Sequence, residues 1–288
     1  MTVKTKFNIR PLSDGFGIEV LGLDLREPLS ALDFETLRRA WFENAVMVIR
    51  DQDLPPADQV AFSRRFGDLQ IHVLTQFQLP DHPEVLLLSN EKRADGSPMG
   101  FEDAGRYWHS DLSYMDHPSL GTMLYAVRIP PAGGDTLFVD MYRAFETLPP
   151  AIQARIEGRF AVHSYVRNYA RNESKPGIRP QLTDAQKARL PDVRHPIVRT
   201  NEDTGRRALY INPGFTFRID GMAEAESGIL LQELFAHCLK PELLYTHVWK
   251  SKDYLCWDNR GTMHHATLYD PKYIRHMHRT TIKGPRPV

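Results

Sequence analysis

The sequence has little cysteine and no excess charge of either sign. Only two cysteines, Cys238 and Cys256, occur in 288 residues, far apart and outside any CxxC pair. This pattern excludes a disulfide framework and favours a reducing compartment. Lysine plus arginine and aspartate plus glutamate number 36 each, so the formal net charge is zero. A neutral chain has no overall field to attract nucleic acid or an anionic membrane, and we expect neither partner.

Signals for membrane insertion and secretion are equally scarce. No apolar run in the sequence approaches the ~18 residues needed to span a bilayer. The segment Met1 to Arg10 is polar and charged, without the apolar core of a secretory signal. Internal repeats and low-complexity segments are also missing. We therefore expect a cytoplasmic protein. Because the chain has no net charge, any site that binds an anion must be formed by a local group of charged residues.

What the chain does contain is the composition of a globular protein. Hydrophobic residues make up 42% of it and aromatic residues 10%. At about 100–200 residues per domain, the length allows one large domain or two small ones. The first quarter predicts, in order, two antiparallel strands within Phe7 to Leu25 interrupted at Ser13 to Gly15, a helix over Leu32 to Trp41 capped by Ser30, a strand over Ala45 to Ile49, and a helix from Pro55 through Phe66 that Gly67 ends.

Short strands separated by glycine and proline dominate the chain after residue 84. We predict strands over Glu84 to Ser89, Tyr107 to Tyr114, Thr122 to Ile129, Asp135 to Asp140, Phe160 to Arg167, Pro196 to Arg199, Ala208 to Asn212 and Phe215 to Ile219, and several between Tyr245 and Lys283. Asn168 to Lys187 is polar and aperiodic, which indicates a long loop, whereas Ala223 to Leu239 is periodic as a helix. This pattern favours a mostly β fold with flanking helices, a barrel or jelly roll, as one domain over residues 1–288.

The stretch Trp108-His109-Ser110-Asp111 carries the first candidate ligands. In an extended strand, His109 and Asp111 lie on one face and Ser110 on the other, so an imidazole and a carboxylate converge. Two histidines and one carboxylate with open positions are typical of non-haem Fe(II) oxygenases. The motif alone also fits a salt-bridged surface pair. A metal site needs a third ligand from a distant strand.

A candidate for that ligand lies in the segment Trp257 to His265, which ends in two adjacent histidines. Alternation along a strand points His264 and His265 to opposite faces, so only one of them can be the ligand. Position alone does not choose between them. A core strand with one outward histidine is the alternative interpretation.

Two arginines share one face of the basic strand predicted over Ile274 to Lys283. Arg275 and Arg279 point one way, whereas His276 and His278 point the other. Arginine binds carboxylates and sulfonates in a planar, bidentate manner. Paired arginines near a metal therefore suggest two small anions bound together, and a solvated charged edge strand is the alternative.

Taken in order, these segments resemble the taurine dioxygenase family of Fe(II)- and 2-oxoglutarate-dependent oxygenases over almost the whole chain. The motifs that carry the resemblance are Phe66-Gly67-Asp68-Leu69-Gln70-Ile71-His72, Trp-His-Ser-Asp at 108 to 111, Gly-Gly-Asp-Thr at 133 to 136, His-Pro-Ile-Val-Arg-Thr at 195 to 200, Asn-x-Gly-Phe-Thr at 212 to 216, Trp-Asp-Asn-Arg-x-x-x-His at 257 to 264, and Arg-x-x-x-Arg at 275 to 279. The resemblance implies a double-stranded β-helix, a jelly roll whose open end holds iron. It implies iron ligation by His109, Asp111 and His264, the first of the adjacent pair.

The resemblance also implies roles for residues around the iron. Thr136 and Arg275 would bind the far carboxylate of the cosubstrate 2-oxoglutarate, whose other end chelates Fe(II). His72 and Arg279 match positions that hold the anionic head of the prime substrate. The aromatic residues that would line its pocket are Phe215, Tyr114 and Tyr165.

The implied reaction is an O2-dependent hydroxylation of a small anion, an alkanesulfonate such as taurine or a related compound. Succinate and CO2 are released, and the hydroxylated product collapses. Within the family, cleavage of phenoxyalkanoates or alkyl sulfate esters is the alternative, because Gly105-Arg106-Tyr107 stands where the taurine enzyme carries an amide. The resemblance further suggests a homo-oligomer, a dimer or tetramer.

Two other classes of protein compete with this interpretation. A jelly-roll zinc hydrolase or metal-dependent isomerase could use the same three ligands, since zinc accepts histidine and carboxylate. That class would not explain Arg275 and Thr136. A binding protein without catalysis would need one of the three ligands to be missing, and all are present in the sequence.

Overall fold

The structure is a computed structural model that describes residues 5–12, 16–72, 74–102, 104–173 and 182–288. Its strands are β1 Asn8–Pro11, β2 Ile18–Leu21, β3 Val46–Ile49, β4 Gln78–Leu79, β5 His82–Ser89, β6 Ser119–Arg128, β7 Thr136–Asp140, β8 Phe160–His163, β9 Val193–Pro196, β10 Val198–Thr200, β11 Arg207–Leu209, β12 Thr216–Ile219, β13 Leu244–His247, β14 Tyr254–Asp258, β15 Thr262–Ala266 and β16 His276–Lys283. Its helices are α1 Ala31–Asn44, α2 Pro56–Arg64, α3 Met141–Glu146, α4 Pro150–Ile156, α5 Tyr165–Glu173, α6 Asp184–Ala188 and α7 Glu224–Cys238, with short 3-10 helices at Thr75–Phe77 and Pro241–Leu243. The predicted fold class, mostly β with helices, is confirmed.

One large sheet runs in the order β1-β2-β3-β14-β6-β16-β5-β4. Its neighbouring strands are antiparallel, except for the parallel pair of β2 and β3. Both faces are buried: Met47 and Tyr125 pack in a cluster with apolar residues of α1 and α2, whereas Val48 and Leu124 pack in a second cluster on the opposite face. Burial on both faces explains why the run Val46–Ile49 is continuously apolar rather than alternating.

Smaller sheets cover the face of the large sheet that points away from α1 and α2. Their orders are β13-β7-β15, β12-β8-β9 and β10-β11. Phe138 of β7, Ala161 of β8 and Met263 of β15 share one apolar cluster with Val48 and Leu124 of the large sheet. One apolar core therefore fills the space between the large sheet and the smaller sheets.

A backbone seam joins β15 to the chain segment that precedes β6. His109 and His264 form an isolated antiparallel bridge, in which the N–H of each residue donates to the carbonyl of the other at 3.0 and 2.8 Å. On the other side, the carbonyl of Trp108 accepts from the N–H of Gly214 at 3.0 Å. The seam thus places two histidines from remote parts of the sequence side by side.

The N-terminal elements agree with the prediction. β1 and β2 are antiparallel, and the predicted interruption at Ser13 to Gly15 lies outside the described residues. The Oγ atom of Ser30 accepts from the N–H of Asp33 at 3.0 Å, so Ser30 caps α1 as expected. Leu37 and Trp41 of α1 are fully buried, which confirms the face that the periodicity predicts.

The predicted strand over Tyr107 to Tyr114 is wrong. Only His109 of this segment pairs in a bridge, and the chain turns from Asp111 onward. Leu112 has a φ of 57°, in the left-handed region that interrupts an extended strand. The N–H of Asp111 donates to the side chain of Asn259 at 3.0 Å, so a side chain replaces the missing strand partner. His109 and Asp111 still converge, through this turn rather than through alternation.

Two helices replace parts of the predicted strand over Phe160 to Arg167 and the predicted loop over Asn168 to Lys187. The strand ends at His163, and α5 runs from Tyr165 to Glu173. Thr183 and Gln186 form a capping box that starts α6. Residues 174–181 of the predicted loop lie outside the described residues. No helix within the described ranges is long and apolar enough to cross a membrane.

Candidate active site

Two histidines and one aspartate meet at the seam. Nε2 of His109 lies 3.6 Å from Oδ1 of Asp111, and Nε2 of His264 lies 3.8 Å from Oδ2 of the same carboxylate. One ligand atom from each residue lies within 4.8 Å of the others. Each residue is only 6% exposed. Nitrogen and oxygen donors at these separations fit around a single divalent ion, whose bonds to them measure about 2.0–2.2 Å.

The protonation of the two imidazoles suits metal binding. Nδ1 of His109 lies 2.8 Å from the carbonyl of Tyr107, and a carbonyl only accepts, so we assign the proton to Nδ1. This leaves the lone pair of Nε2 free on the side of Asp111. Burial is the largest cause that holds the pKa of His264 well below its usual range, so His264 is neutral. Gly105 allows the chain to pass close by, because a Cβ there would lie 3.2 Å from Cε1 of His109.

Asp111 is held by the side chains of Thr122, which lies outside the quoted motifs, and of Asn259, which lies in the motif at 257 to 264. Oγ1 of Thr122 donates to Oδ2 of Asp111 at 2.7 Å, and Oδ1 of Asn259 accepts from its backbone N–H. Nδ2 of Asn259 in turn donates to Oγ1 of Thr122 at 3.0 Å. Burial alone would raise the pKa of Asp111, but the two neighbouring imidazoles and the guanidinium of Arg279 favour the carboxylate form and hold that pKa well below its usual range. The carboxylate is therefore ionised and fixed in orientation.

We expect the substitution Thr122→Val to weaken divalent-metal binding about tenfold, because valine has nearly the same shape but cannot donate to the carboxylate of Asp111. Thr122→Ser keeps the hydroxyl and should bind the metal as the unchanged chain does. Anaerobic titration with Co(II), followed by its visible absorption, gives the affinity of each variant. Equal affinities for the valine variant and the unchanged chain would contradict this role of Thr122.

The two adjacent histidines point in opposite directions, as alternation predicts. His264 faces Asp111, and its ring centroid lies 4.1 Å from that of His109. The ring of His265 packs instead against Trp108, with 5.4 Å between centroids. His264 is therefore the member of the pair that reaches the cluster.

Thr136 and Arg275, the predicted 2-oxoglutarate residues, are both close to Gly134, which precedes Thr136 by two residues and contacts Arg275. Thr136 begins β7 and is 4% exposed. Nε of Arg275 donates to the carbonyl of Gly134 at 3.1 Å. Burial lowers the pKa of Arg275 to about 10, and no salt bridge joins it to a carboxylate of the described residues. A protonated, desolvated guanidinium without an anionic partner favours an anionic ligand.

His72 and Arg279 line one pocket together with Asp111 and Leu112. Nη1 of Arg279 lies 3.7 Å from Oδ1 of Asp111, and its buried Nε has no hydrogen-bond partner among the described residues. Nδ1 of His72 accepts from the N–H of Leu74 at 3.1 Å, so the ring proton is on Nε2. Burial, then the charge of Arg279, lowers the pKa of His72 to about 4. The pocket therefore offers a cation and a neutral N–H donor.

An aromatic cluster lies next to His109. The ring centroid of Tyr114 is 4.7 Å from those of both Tyr165 and Phe215. Phe215 lies 6.3 Å from His109. Tyr107 joins this cluster, at 5.7 Å from Phe215 and 5.1 Å from His109. The three predicted aromatic residues are thus brought together, and Tyr107 is an addition that the sequence analysis noted only as a departure from the taurine enzyme.

Comparison with known proteins identifies the family. The family model described as taurine catabolism dioxygenase TauD, TfdA family matches residues 8–281. The chain belongs to the TauD/TfdA family. It is 34% identical over 280 residues to the alpha-ketoglutarate-dependent 2,4-dichlorophenoxyacetate dioxygenase of Cupriavidus pinatubonensis, with 94% of this chain and 96% of the relative covered.

Two further comparisons show the range of this TauD/TfdA family. Pentalenolactone F synthase of Streptomyces avermitilis is 35% identical over 265 residues, which cover 88% of this chain and 87% of the synthase. Among solved structures, a taurine dioxygenase from Burkholderia xenovorans matches with a TM-score of 0.81 at 30% identity, covering 98% of this chain and 91% of that chain.

Membership of the TauD/TfdA family confirms the predicted enzyme class, a dioxygenase. It favours an oxidoreductase over the zinc hydrolase and the metal-dependent isomerase that the sequence left open. It also argues against a binding protein without catalysis, since the three clustered ligands are complete.

Proposed function

We propose that this TauD/TfdA enzyme hydroxylates a small organic anion. The family assignment, together with the clustered ligands, confirms the predicted requirement for Fe(II), 2-oxoglutarate and O2. The observation that carries the proposal is the buried group of His109, Asp111 and His264 beside Arg279, whose buried Nε has no hydrogen-bond partner among the described residues. We also propose a single domain over residues 1–288, in which the large sheet and the smaller sheets form the two walls of a double-stranded β-helix.

The residues around the cluster divide into two groups of roles. His109, Asp111 and His264 would hold Fe(II), because two neutral imidazoles and a carboxylate are its characteristic donors. Thr136 and Arg275 would bind the far carboxylate of 2-oxoglutarate through a hydroxyl and a guanidinium. When bound, iron and the cosubstrate would activate O2, which is the oxidant for hydroxylation of a C–H bond. The burial of all three ligands keeps bulk water away from that chemistry.

The prime substrate would bind by its anionic group to Arg279 and His72. The guanidinium can accept a planar carboxylate or a sulfonate, and the Nε2–H of His72 adds one more donor. Because Arg279 lies next to Asp111, an anion held there places the neighbouring carbon of the substrate close to the metal ligands. Such fixed placement determines which C–H bond reacts.

The body of the substrate is the part that the aromatic cluster would contact. The rings of Tyr114, Tyr165 and Phe215 pack together next to His109, and an aromatic wall at this place favours an aryl group. A phenoxyalkanoate combines such a group with a carboxylate, and the relative from Cupriavidus pinatubonensis acts on 2,4-dichlorophenoxyacetate. Hydroxylation of the carbon beside the ether oxygen gives a hemiacetal. The bond between the hemiacetal carbon and the ether oxygen then breaks as the new hydroxyl becomes a carbonyl. Its proton passes to the departing oxygen, so a phenol is released and an oxo acid remains.

Alkanesulfonates such as taurine are the second candidate class, followed by alkyl sulfate esters. The likeness to a taurine dioxygenase structure supports them, and Arg279 would hold a sulfonate as readily as a carboxylate. Against taurine stands the stretch Gly105-Arg106-Tyr107, since the resemblance matches it to the place where the taurine enzyme carries a polar amide for the substrate.

A substrate panel tests this proposal. The chain is reconstituted anaerobically with Fe(II) and 2-oxoglutarate, then exposed to O2 with phenoxyalkanoates, alkanesulfonates or alkyl sulfates while succinate is recorded. We expect a phenoxyalkanoate to give succinate and a phenol in equal amounts. Coupled release of sulfite from a sulfonate, without turnover of any phenoxy acid, would replace the first candidate with the second.

The cellular setting of the enzyme stays a prediction. Both cysteines are free and buried, in agreement with the reducing, cytoplasmic compartment that we propose. A homo-oligomer and the lack of nucleic-acid or membrane partners are likewise proposed from the sequence and the family.

A further inference from the structure

We infer that Trp249 is a positioning residue for the cosubstrate, because its indole N–H fixes the hydroxyl of Thr136 as a donor toward the 2-oxoglutarate carboxylate. This inference rests on the proposed function, which places Thr136 in the cosubstrate site. Trp249 lies outside the motifs that carry the family resemblance.

The two side chains are in direct contact inside the protein. Nε1 of Trp249 donates to Oγ1 of Thr136 at 3.1 Å. Trp249 is 6% exposed and Thr136 is 4% exposed, so water has little access to this bond. Thr136 pairs with His247 between β7 and β13, and Trp249 follows two residues after the end of that pairing. The short distance along the chain fixes the indole next to the hydroxyl.

The chemistry of the two groups sets the direction of the hydrogen bonds. An indole N–H can only donate, so Oγ1 of Thr136 must be the acceptor in this contact. A hydroxyl has a single hydrogen, and this hydrogen remains available to a second partner. A carboxylate can only accept, and hydrogen bonds to an ionised oxygen are stronger than neutral ones. Trp249 therefore leaves the hydroxyl hydrogen of Thr136 available for donation to a carboxylate.

The indole is itself held in place by a buried group behind it. The ring of His247 meets Trp249 edge to face, with centroids 4.6 Å apart and planes at 86°. Nδ1 of His247 lies 3.1 Å from the hydroxyl of Tyr245, and its Nε2 lies 3.2 Å from Oδ2 of Asp253. With both ring nitrogens engaged, His247 has little freedom, and neither has the indole that packs on it.

Anaerobic titration of the Fe(II)-loaded enzyme with 2-oxoglutarate tests this role through an affinity rather than through turnover. We expect Trp249→Phe, which keeps an aromatic ring but removes the donor, to weaken 2-oxoglutarate binding about tenfold. At saturating 2-oxoglutarate, kcat should stay close to that of the unchanged chain. Thr136→Val should weaken binding at least as much, whereas Thr136→Ser should retain most of it.

The double variant separates positioning from general damage. If Trp249 acts through the hydroxyl, Trp249→Phe should add nothing to the loss already caused by Thr136→Val. Losses that multiply would overturn the inference, as would a Trp249→Phe variant with unchanged affinity in an enzyme that Thr136→Val impairs. If Thr136→Val itself leaves the affinity unchanged, the place of Thr136 in the proposed function fails instead.

If Trp249→Phe does not fold, an NMR measurement that leaves all tryptophans unchanged still tests the inference. The sequence has four tryptophans, so a spectrum of the 15N-labelled indole groups is simple. In Thr136→Val, one indole N–H resonance should shift and exchange faster with water, because it has lost its acceptor. An unchanged set of indole resonances would overturn the inference.

Discussion

Asp111→Ala should abolish iron binding, and with it all coupled and uncoupled turnover. The substitution removes one of the three proposed iron ligands and the negative charge that would offset the ion. The loss of a supporting partner of a ligand already costs 10–100-fold in affinity in typical metal sites, so we expect a loss well above about a hundredfold when the ligand itself is removed. Iron content after anaerobic loading and desalting measures the effect, and His109→Ala should behave in the same way.

His265→Ala is the matched control for these variants. His265 is adjacent to His264, the proposed ligand, but its ring packs on Trp108 away from the cluster. This variant should therefore keep one equivalent of iron. Stoichiometric iron in Asp111→Ala or His109→Ala would refute the ligand assignment.

Arg279→Ala should separate the two substrates of the enzyme. The variant should lose affinity for the prime substrate by about a hundredfold, because the substrate anion loses its charged, buried partner. Slow succinate formation from 2-oxoglutarate without prime substrate should persist, since Arg275 and Thr136 are untouched. Succinate is measured with and without the prime substrate found in the panel.

Two arginine variants sharpen this test. Arg279→Lys keeps the charge but not the planar pair of donors. Its affinity for the prime substrate should therefore fall between that of the unchanged chain and that of Arg279→Ala. Arg275→Ala should show the opposite pattern, with weakened 2-oxoglutarate binding. If Arg279→Ala loses coupled and uncoupled turnover equally, Arg279 acts on the metal site through Asp111 and not on the substrate.

Residue alternation in regular strands explains most of what the sequence could predict. The opposite directions of His264 and His265 follow from their places in β15, which is paired along its length with β7. In β16, Met277 packs in the inner cluster and Arg279 lines the pocket, whereas His276 and His278 contact each other at 3.2 Å on the other side. In such strands, side-chain direction depends only on position along the chain.

The parts that escaped prediction depend on contacts between remote residues. Asp111 reaches the cluster because Asn259 binds its backbone and Leu112 adopts a positive φ. Neither feature leaves a local signal in a segment that resembles a strand. The start of α5 does leave one, since Oγ of Ser164 accepts from the N–H of Arg167 at 3.3 Å. A serine before a polar stretch is a weak cap signal, however, and the apolar residues before it favoured a strand.

The bridge between His109 and His264 has a consequence for the ion as well as for the fold. In each of the two residues, the backbone forms the bridge and the imidazole lies in the ligand cluster beside it. An ion bound to both imidazoles would therefore link two stretches of polypeptide that are remote in the sequence. Opening the bridge separates the donors, and the binding free energy of the ion then opposes local unfolding. Protection of the bridge amides against hydrogen exchange and retention of the ion therefore both measure the same equilibrium, the local opening of the bridge.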